Sequence, residues 1–461
     1  MDTEKLKQKI LDLAIRGKLV PQDPNDESAE ELIKRIQEEK AKLVKEGKIK
    51  ASKEESVIFK GSDNCYYEKT TKRIIKVDEN FEFPKSWISM KLGNIGDWGA
   101  GSTPNRSNKS YYENGDVLWV KTGELNDGYI FDSIEKITTK ALNECSLRNN
   151  NIGDVLIAMY GATIGKLGIT AVPLTTNQAC CACTPFSFIN NEYLFYYLMA
   201  IKPLLISKSY GGAQPNISKE KITNCFINFP KIDEQILIVN KIKELFKKIE
   251  TIGNEYNSII NLISATKRKV LEEIFGENSS YKSYYPITKG ILSNFCDKIT
   301  KGTTPTSYGF KYQSSGIPFV KVENVDNFKI NLNTINCYIS EETHEFQKRS
   351  QLKEDDILFS IAGTIGKLCL VRKENTPANT NQAFAIISGY NKYIAPKYLL
   401  YYLEWTKHSN SKVDSHGLGM NNATLTGLKN LEIWFPQEIS NQQKIVYEIE
   451  NILSKLKQII S

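Results

Sequence analysis

Four short stretches of this chain carry residue types at spacings that approach catalytic chemistry, and each lacks a part. Gly161-Ala162-Thr163-Ile164-Gly165-Lys166 has the look of a loop that cradles phosphate on backbone amides. However, three residues rather than four separate its glycines, and Leu167 stands where a Ser or Thr would meet magnesium. Cys180-Cys181-Ala182-Cys183 contains a C-x-x-C, but a structural zinc site asks for four ligands and no second pair follows at a suitable spacing. Gly99-Ala100-Gly101 is a loop glycine pair with no clear helix after it, and Glu38-Glu39-Lys40, though it mimics a nuclease triplet, lies on a charged helix face. With only three histidines, His344, His408 and His416, acid–base and metal chemistry have few possible members. The expectation is a chain without catalytic or metal-binding residues.

The same motifs become informative once the chain is compared with itself, because it is written twice. Gly101-Ser102-Thr103-Pro104 returns 201 residues later as Gly302-Thr303-Thr304-Pro305. Val117-Leu118-Trp119-Val120-Lys121 returns as Ile317-Pro318-Phe319-Val320-Lys321, and Thr163-Ile164-Gly165-Lys166-Leu167 as Thr364-Ile365-Gly366-Lys367-Leu368. Thr176-Asn177-Gln178-Ala179 pairs with Thr380-Asn381-Gln382-Ala383, and Tyr193 to Leu198 with Tyr398 to Leu403. The repeat recasts the near-motifs. A turn whose glycines supply positive φ is needed in both copies, and the cysteines fall where the second copy has Phe384-Ala385-Ile386-Ile387, a buried strand.

The elements that must position these motifs follow from pattern. Short β-branched and aromatic runs between Gly, Asn, Asp and Ser clusters predict a mostly β domain in each copy. A packed helix is expected at Tyr193–Leu205 and at Tyr398–Trp405, and a closing strand ends at Pro230 and at Pro436. After Pro230 the apolar positions Ile242, Leu245, Ile249, Ile252, Tyr256, Ile259, Ile263, Thr266 and Val270 alternate steps of 3 and 4, a coiled-coil seam on a helix from Glu234 to Phe275. Ile449, Ile452, Leu456 and Ile459 keep the same register after Pro436, and Lys9-Ile10-Leu11-Asp12 matches Lys269-Val270-Leu271-Glu272. The two ends of the chain are thus expected to build a second long helix jointly, as if a circle had been cut inside it. Pro21 and Pro24 are expected to end the first helix. Ser28-Ala29-Glu30-Glu31 opens another as a capping box, and residues 48 to 80, polar and mixed in charge, read as an extended connection.

Length and composition bound the rest. At 461 residues with 41% apolar and 25% charged side chains, the chain suits two or three folded domains and not a disordered protein. No apolar run approaches the roughly 18 residues of a membrane helix. Nine cysteines without regular spacing and an opening unlike a signal peptide point to the cytoplasm. A net charge of +7 favours polyanions mildly. The loops within the shared frame alternate donors and aromatics: Thr103-Pro104-Asn105-Arg106-Ser107-Asn108-Lys109-Ser110-Tyr111-Tyr112 in one copy, Thr304-Pro305-Thr306-Ser307-Tyr308-Gly309-Phe310-Lys311-Tyr312 in the other. Phosphate contacts and base-edge readout need such residues, so two modules reading different nucleic-acid sequences are expected. A coiled-coil scaffold with two β-rich domains that bind protein or glycan is the alternative reading.

Lys9-Ile10-Leu11-Asp12-Leu13-Ala14-Ile15-Arg16-Gly17-Lys18-Leu19-Val20-Pro21-Gln22-Asp23-Pro24, the Gly-x-Thr-Pro, Thr-Ile-Gly-Lys and Asn-Gln-Ala elements of each copy, and the Pro then Gln-plus-hydrophobic start of each helix carry a family resemblance over almost the whole chain. The chain resembles the specificity subunit of type I restriction-modification systems. That resemblance implies an α+β architecture in which two β-rich target-recognition domains are separated by two long antiparallel coiled-coil helices, pseudo-two-fold and circularly permuted. It implies a division into residues 1–16, part of the distal helix; 17–84, a helical and extended segment; 85–232, the first recognition domain; 233–276, the central helix; 277–436, the second recognition domain; and 437–461, the rest of the distal helix. It implies double-stranded DNA with a bipartite site as ligand, with two methyltransferase subunits and restriction/translocase subunits as partners. S-adenosylmethionine and ATP would belong to those partners, and the chain itself would take no cofactor. The expected DNA contacts are Thr103, Arg106, Asn108, Lys109, Lys121, Tyr160, Lys166, Tyr210 and Gln214 in the first copy. In the second they are Thr304, Ser307, Tyr308, Lys311, Lys321, Lys367, His416 and Asn421. One departure stands out: Gln214-Pro215-Asn216-Ile217 becomes Met420-Asn421-Asn422-Ala423 in the second copy.

Overall fold

The computed structural model describes residues 2–23, 27–47, 56–70, 72–77, 82–207, 216–407 and 424–459. The chain divides into two compact units, residues 1–255 and 256–461, and the boundary falls inside one helix.

The first unit opens with α1 (Thr3–Ile15) and α2 (Ala29–Lys45), followed by strands β1 (Ser56–Lys60), β2 (Tyr66–Thr70), β3 (Ile74–Val77), β4 (Ile88–Lys91) and β5 (Gly96–Ala100). Then come β6 (Val117–Val120), β7 (Gly128–Ile130), β8 (Lys136–Ile137), α3 (Thr139–Glu144), β9 (Val155–Ala158), β10 (Leu167–Thr170), β11 (Thr175–Thr176) and β12 (Cys180–Pro185). Helices α4 (Asn191–Ser207) and α5 (Lys219–Thr223), strand β13 (Phe226–Phe229) and the start of α6 (Ile232–Phe275) complete it. The second unit takes the end of α6, then α7 (Tyr281–Tyr284), β14 (Ile287–Ile291), β15 (Lys298–Lys301), β16 (Ile317–Val320), β17 (Val325–Asp326), β18 (Lys329–Ile330), β19 (Tyr338–Ile339) and α8 (Glu341–Phe346). It continues with β20 (Ile357–Ser360), β21 (Leu368–Leu370), β22 (Asn379–Thr380), β23 (Phe384–Ser388), α9 (Pro396–Thr406), α10 (Leu425–Lys429), β24 (Glu432–Pro436) and α11 (Ile439–Gln458).

The repeat in the sequence is a repeat of sheets. Strand order β5-β12-β9-β10 in the first unit recurs as β15-β23-β20-β21 in the second, and β8-β6-β11 recurs as β19-β16-β22. The closing pair β4–β13 recurs as β14–β24. Cys180, Cys181 and Cys183 lie on β12, fully buried, as the second copy's apolar strand foretold. Burial pushes the Cys181 thiol up to about 11, so it behaves as a small hydrophobe.

Each unit is clasped by helix segments in matching registers. In the first, Leu11 and Ala14 of α1 and Ile238, Val239 and Ile242 of α6 are buried in one core; in the second, Leu271 and Ile274 of α6 and Ile445, Val446 and Ile449 of α11 do the same. Within the first unit α1 runs antiparallel to α6, for Thr3 lies near Gly253 while the Lys7 ammonium sits over the Phe246 ring. The helix starts share one device. Gln235, fully buried, donates to the Phe188 and Pro230 carbonyls, each at 2.9 Å, and accepts from the Asn190 amide at 2.8 Å. Gln442 donates likewise to Tyr393 and Pro436 and accepts from Ala395.

Two expectations change. The helix α1 ends not at its following prolines but at Gly17, whose φ of +66° lets the Gly17 and Lys18 amides turn back onto Ala14 and Leu13. Within residues 48 to 80, the described part is no loose connection: β1, β2 and β3 extend the closing pair into a five-stranded antiparallel sheet, β13-β4-β1-β2-β3, an addition with no counterpart among the described residues of the second unit.

Candidate nucleic-acid interface

Three recurring motifs meet at one end of each unit's main sheets, and they hold one another there. Gly101 leaves β5 with its amide on the Cys180 carbonyl, and Ser102 donates to Thr176 at 3.0 Å. A side chain at position 101 would collide with the Thr176 and Asn177 carbonyl oxygens, which explains the glycine. The Thr103 hydroxyl then donates to the Gln178 side-chain carbonyl. The second unit repeats the arrangement: Gly302 donates to Phe384 and Thr303 to Thr380, a side chain at 302 would strike Thr380 and Asn381, and the Thr304 hydroxyl donates to Gln382. Gly-x-Thr-Pro and Thr-Asn-Gln-Ala are thus the two halves of one lock.

The Thr-Ile-Gly-Lys motif closes the β9–β10 and β20–β21 hairpins beside that lock. Met159 donates to Ala179, and Ile361 to Ala383. Gly165 and Gly366 have φ of +75° and +83°, so the element is the expected tight turn. Its tip, Gly161-Ala162 in one unit and Ala362-Gly363-Thr364 in the other, is exposed. Lys166 is half-buried, whereas the Lys367 ammonium donates to the Val322 and Val325 carbonyls at 3.1 and 3.0 Å, which anchors the hairpin to the loop after β16.

Between the shared supports the two units differ. In the first, Arg106 lies over the rings of Tyr112 and Trp119, with its guanidinium carbon 4.6 and 4.8 Å from their centroids. The same guanidinium donates to both carboxylate oxygens of Glu135, to which Lys121 also donates at 2.9 Å. Hydrogen bonding from Arg106 first, and from Lys121, holds the Glu135 carboxyl down to about 2. Asn108 accepts from the Ser110 amide and hydroxyl, while Lys109 projects into solvent, and Tyr160 is 38% exposed. In the second unit Tyr312 and Phe319 repeat the aromatic floor, and the Lys321 ammonium stands 5.4 Å from the Tyr312 centroid. Ser307, Tyr308 and Lys311 are exposed around it. Among the expected contacts, Tyr210, Gln214, His416 and Asn421 lie outside the described residues.

Thr103, Arg106, Asn108, Lys109 and Lys121 therefore belong to one loop array with the Lys166 hairpin beside it, and Thr304, Ser307, Tyr308, Lys311, Lys321 and Lys367 to its duplicate. Sequence reading missed Gln178, Gln382 and Glu135 as partners. The first two were visible as recurring residues without a role; Glu135 has Cys337 in the corresponding register, so no recurrence marked it. Among the described residues no cluster of metal ligands occurs, and no helix is long and apolar enough to cross a membrane.

The comparisons agree with this duplicated layout. A chain from a structure reported as the "Structural basis underlying complex assembly and conformational transition of the type I R-M system" superposes with a TM-score of 0.63 at 18% identity, over 83% of this chain and 93% of that one. Among curated relatives, the type I restriction enzyme MjaIX specificity subunit of Methanocaldococcus jannaschii is 30% identical over 259 residues, 53% of this chain and 59% of the relative. The EcoAI specificity subunit of Escherichia coli is 51% identical over 90 residues, 20% of this chain and 13% of the relative. The matches therefore span less than two thirds of these relatives' lengths. The family model described as "Type I restriction modification DNA specificity domain" matches twice, at residues 84–261 and 289–460, one copy for each set of sheets and loops. On two family matches that cover most of its length, each laid over a folded copy of the same loop array, the chain belongs to the type I restriction-modification DNA specificity family.

Proposed function

We propose that this chain is the sequence-recognition subunit of a type I restriction-modification complex, in which each β-rich domain reads one half of a bipartite site in double-stranded DNA. The observation that carries this reading is the pairing of a shared lock with unshared tips. Both units fix their loops through the same glycine and Thr–Gln contact, yet the loop after it pairs Arg106 with Glu135 in one and leaves Ser307, Tyr308 and Lys311 exposed in the other. A frame held constant while its tips diverge suits two modules with one task and two targets.

Catalysis is assigned to partner subunits. Methyltransferase subunits would bring S-adenosylmethionine, and restriction subunits ATP, and the helices would dock the former. Exposed apolar side chains outside the named seam positions support docking: Leu6 of α1 and Leu262 of α6 are 46% and 67% exposed. Cytoplasmic action is part of the same proposal.

The test is co-purification with candidate methyltransferase subunits, followed by duplex binding over a salt series. Specific duplex binding that weakens steeply with salt is expected, since neutralised phosphates release counterions. Binding that ignores salt, or that is strongest for protein or glycan, would overturn the reading.

A further inference from the structure

The second unit carries an aromatic cluster where the first pairs a tyrosine with a carboxylate. Tyr308 and Phe346 are 55% and 60% exposed. Their ring centroids are 5.7 Å apart, and Phe310, half-buried, stands 5.1 Å from Phe346. Phe346 ends α8. Helix α8 follows β19 as α3 follows β8, and both helices are capped by a hydroxyl, of Ser340 and of Thr138. The register Ile137 with Val117 and Ile339 with Ile317 makes Phe346 the counterpart of Glu144. In the first unit Glu144 accepts from the Tyr111 hydroxyl at 3.1 Å, and position 111 corresponds to Lys311. At this place, then, the second unit has three aromatic rings and the first a hydrogen-bonded tyrosine–glutamate pair.

Its position is continuous with the loop array. Tyr308 lies four residues beyond Thr304, which is locked to Gln382. The segment after Phe346 is tied to the same place, because the Asn379 side-chain amide donates to the Gln347 carbonyl and the Ser350 hydroxyl, and Arg349 donates to the Thr303 hydroxyl. Exposed charges near the rings along the chain are balanced in number: Lys311, Lys348 and Arg349 against Glu341, Glu342 and Glu345. Such a surface has no net attraction for phosphate. What it offers a duplex is exposed apolar area, and the apolar group that a base pair displays in the major groove is the thymine 5-methyl.

We infer that Tyr308 and Phe346 form a thymine-methyl contact that sets specificity in the second half-site. The inference rests on the DNA-recognition reading above and names the base chemistry that one unit takes. Its test uses the assembled methyltransferase–specificity complex and a duplex of its mapped site, with deoxyuridine replacing each thymine of the second half-site in turn. The native complex should bind one substituted duplex about three- to five-fold more weakly, the scale expected for removing one buried methyl group. Phe346→Ala and Tyr308→Ala should bind thymine and deoxyuridine duplexes alike, while Phe346→Leu, still apolar, should keep part of the discrimination. Because both rings are exposed, the alanine variants should melt like the native protein.

A second half-site without thymine, no deoxyuridine-sensitive position, or undiminished sensitivity in both alanine variants would overturn the inference while specific binding of the whole site left the DNA-recognition reading intact. Weaker assembly with the methyltransferase subunits at unchanged DNA affinity would also overturn it, by making the cluster a protein contact. Absence of specific binding by the native complex would instead sink the broader reading.

Discussion

Glu135 accepts from Arg106 and Lys121 together, and its ionised form is therefore favoured strongly enough to hold its carboxyl at about 2. A folded-state value below the ordinary 4.5 means that the charged carboxylate stabilises the fold above about pH 4.5 and that this contribution fades as pH falls toward 2. The pairs are partly exposed, so solvent screening keeps the effect to about 1 kcal/mol or less. In urea unfolding at a series of pH values, Glu135→Gln should be the less stable protein at neutral pH, with the gap closing between pH 4.5 and 2. A gap that stayed constant with pH would refute the ionic role. Lys109 gives the contrast, since its side chain projects into solvent beside the locked loop. Lys109→Ala should weaken duplex binding similarly for all sequences and lower the salt slope by about one. An effect confined to one base position would assign it to base readout instead. Sequence made the donor types at these positions legible. It did not show that Arg106 is clamped between two rings and a carboxylate, because Glu135 lies on the strand side of a loop, 29 residues away, and has no repeat partner.

At the scale of elements, the start of each long helix depends on a buried glutamine that satisfies three backbone groups at once. Gln442→Ala would strand the Ala395 amide and two carbonyls in the core, at a cost on the order of 3 kcal/mol in chemical denaturation. A loss below about 1 kcal/mol would show that water or a backbone shift replaces the side chain. The proline-then-glutamine pattern was legible, and so were the helices, whose period and caps are local. The glutamine's purpose was not, because its partners in the 188–190 and 393–395 loops lie more than 40 residues earlier in the chain. The β1–β3 addition escaped for a related reason. Its outer strands are half-exposed or exposed, so they lack a clear alternation, and their place is fixed through β1, the strand of the three that pairs with β4.

At the scale of the molecule, internal duplication did most to make the fold readable, since a motif seen twice separates what the frame needs from what one site needs. The four-strand order, the three-strand order and the closing pair recur across the two units, and the lock recurs with them. What differs lies between the shared supports, where the proposed function puts specificity. On that proposal each domain reads its own half of the site. It is tested most directly by replacing residues 85–232 with the matching segment of a relative and mapping methylated sites in cells that carry the partner methyltransferase subunits. One half of the recognition sequence should change while the other is retained; a change in both halves would refute a separate half-site for each domain.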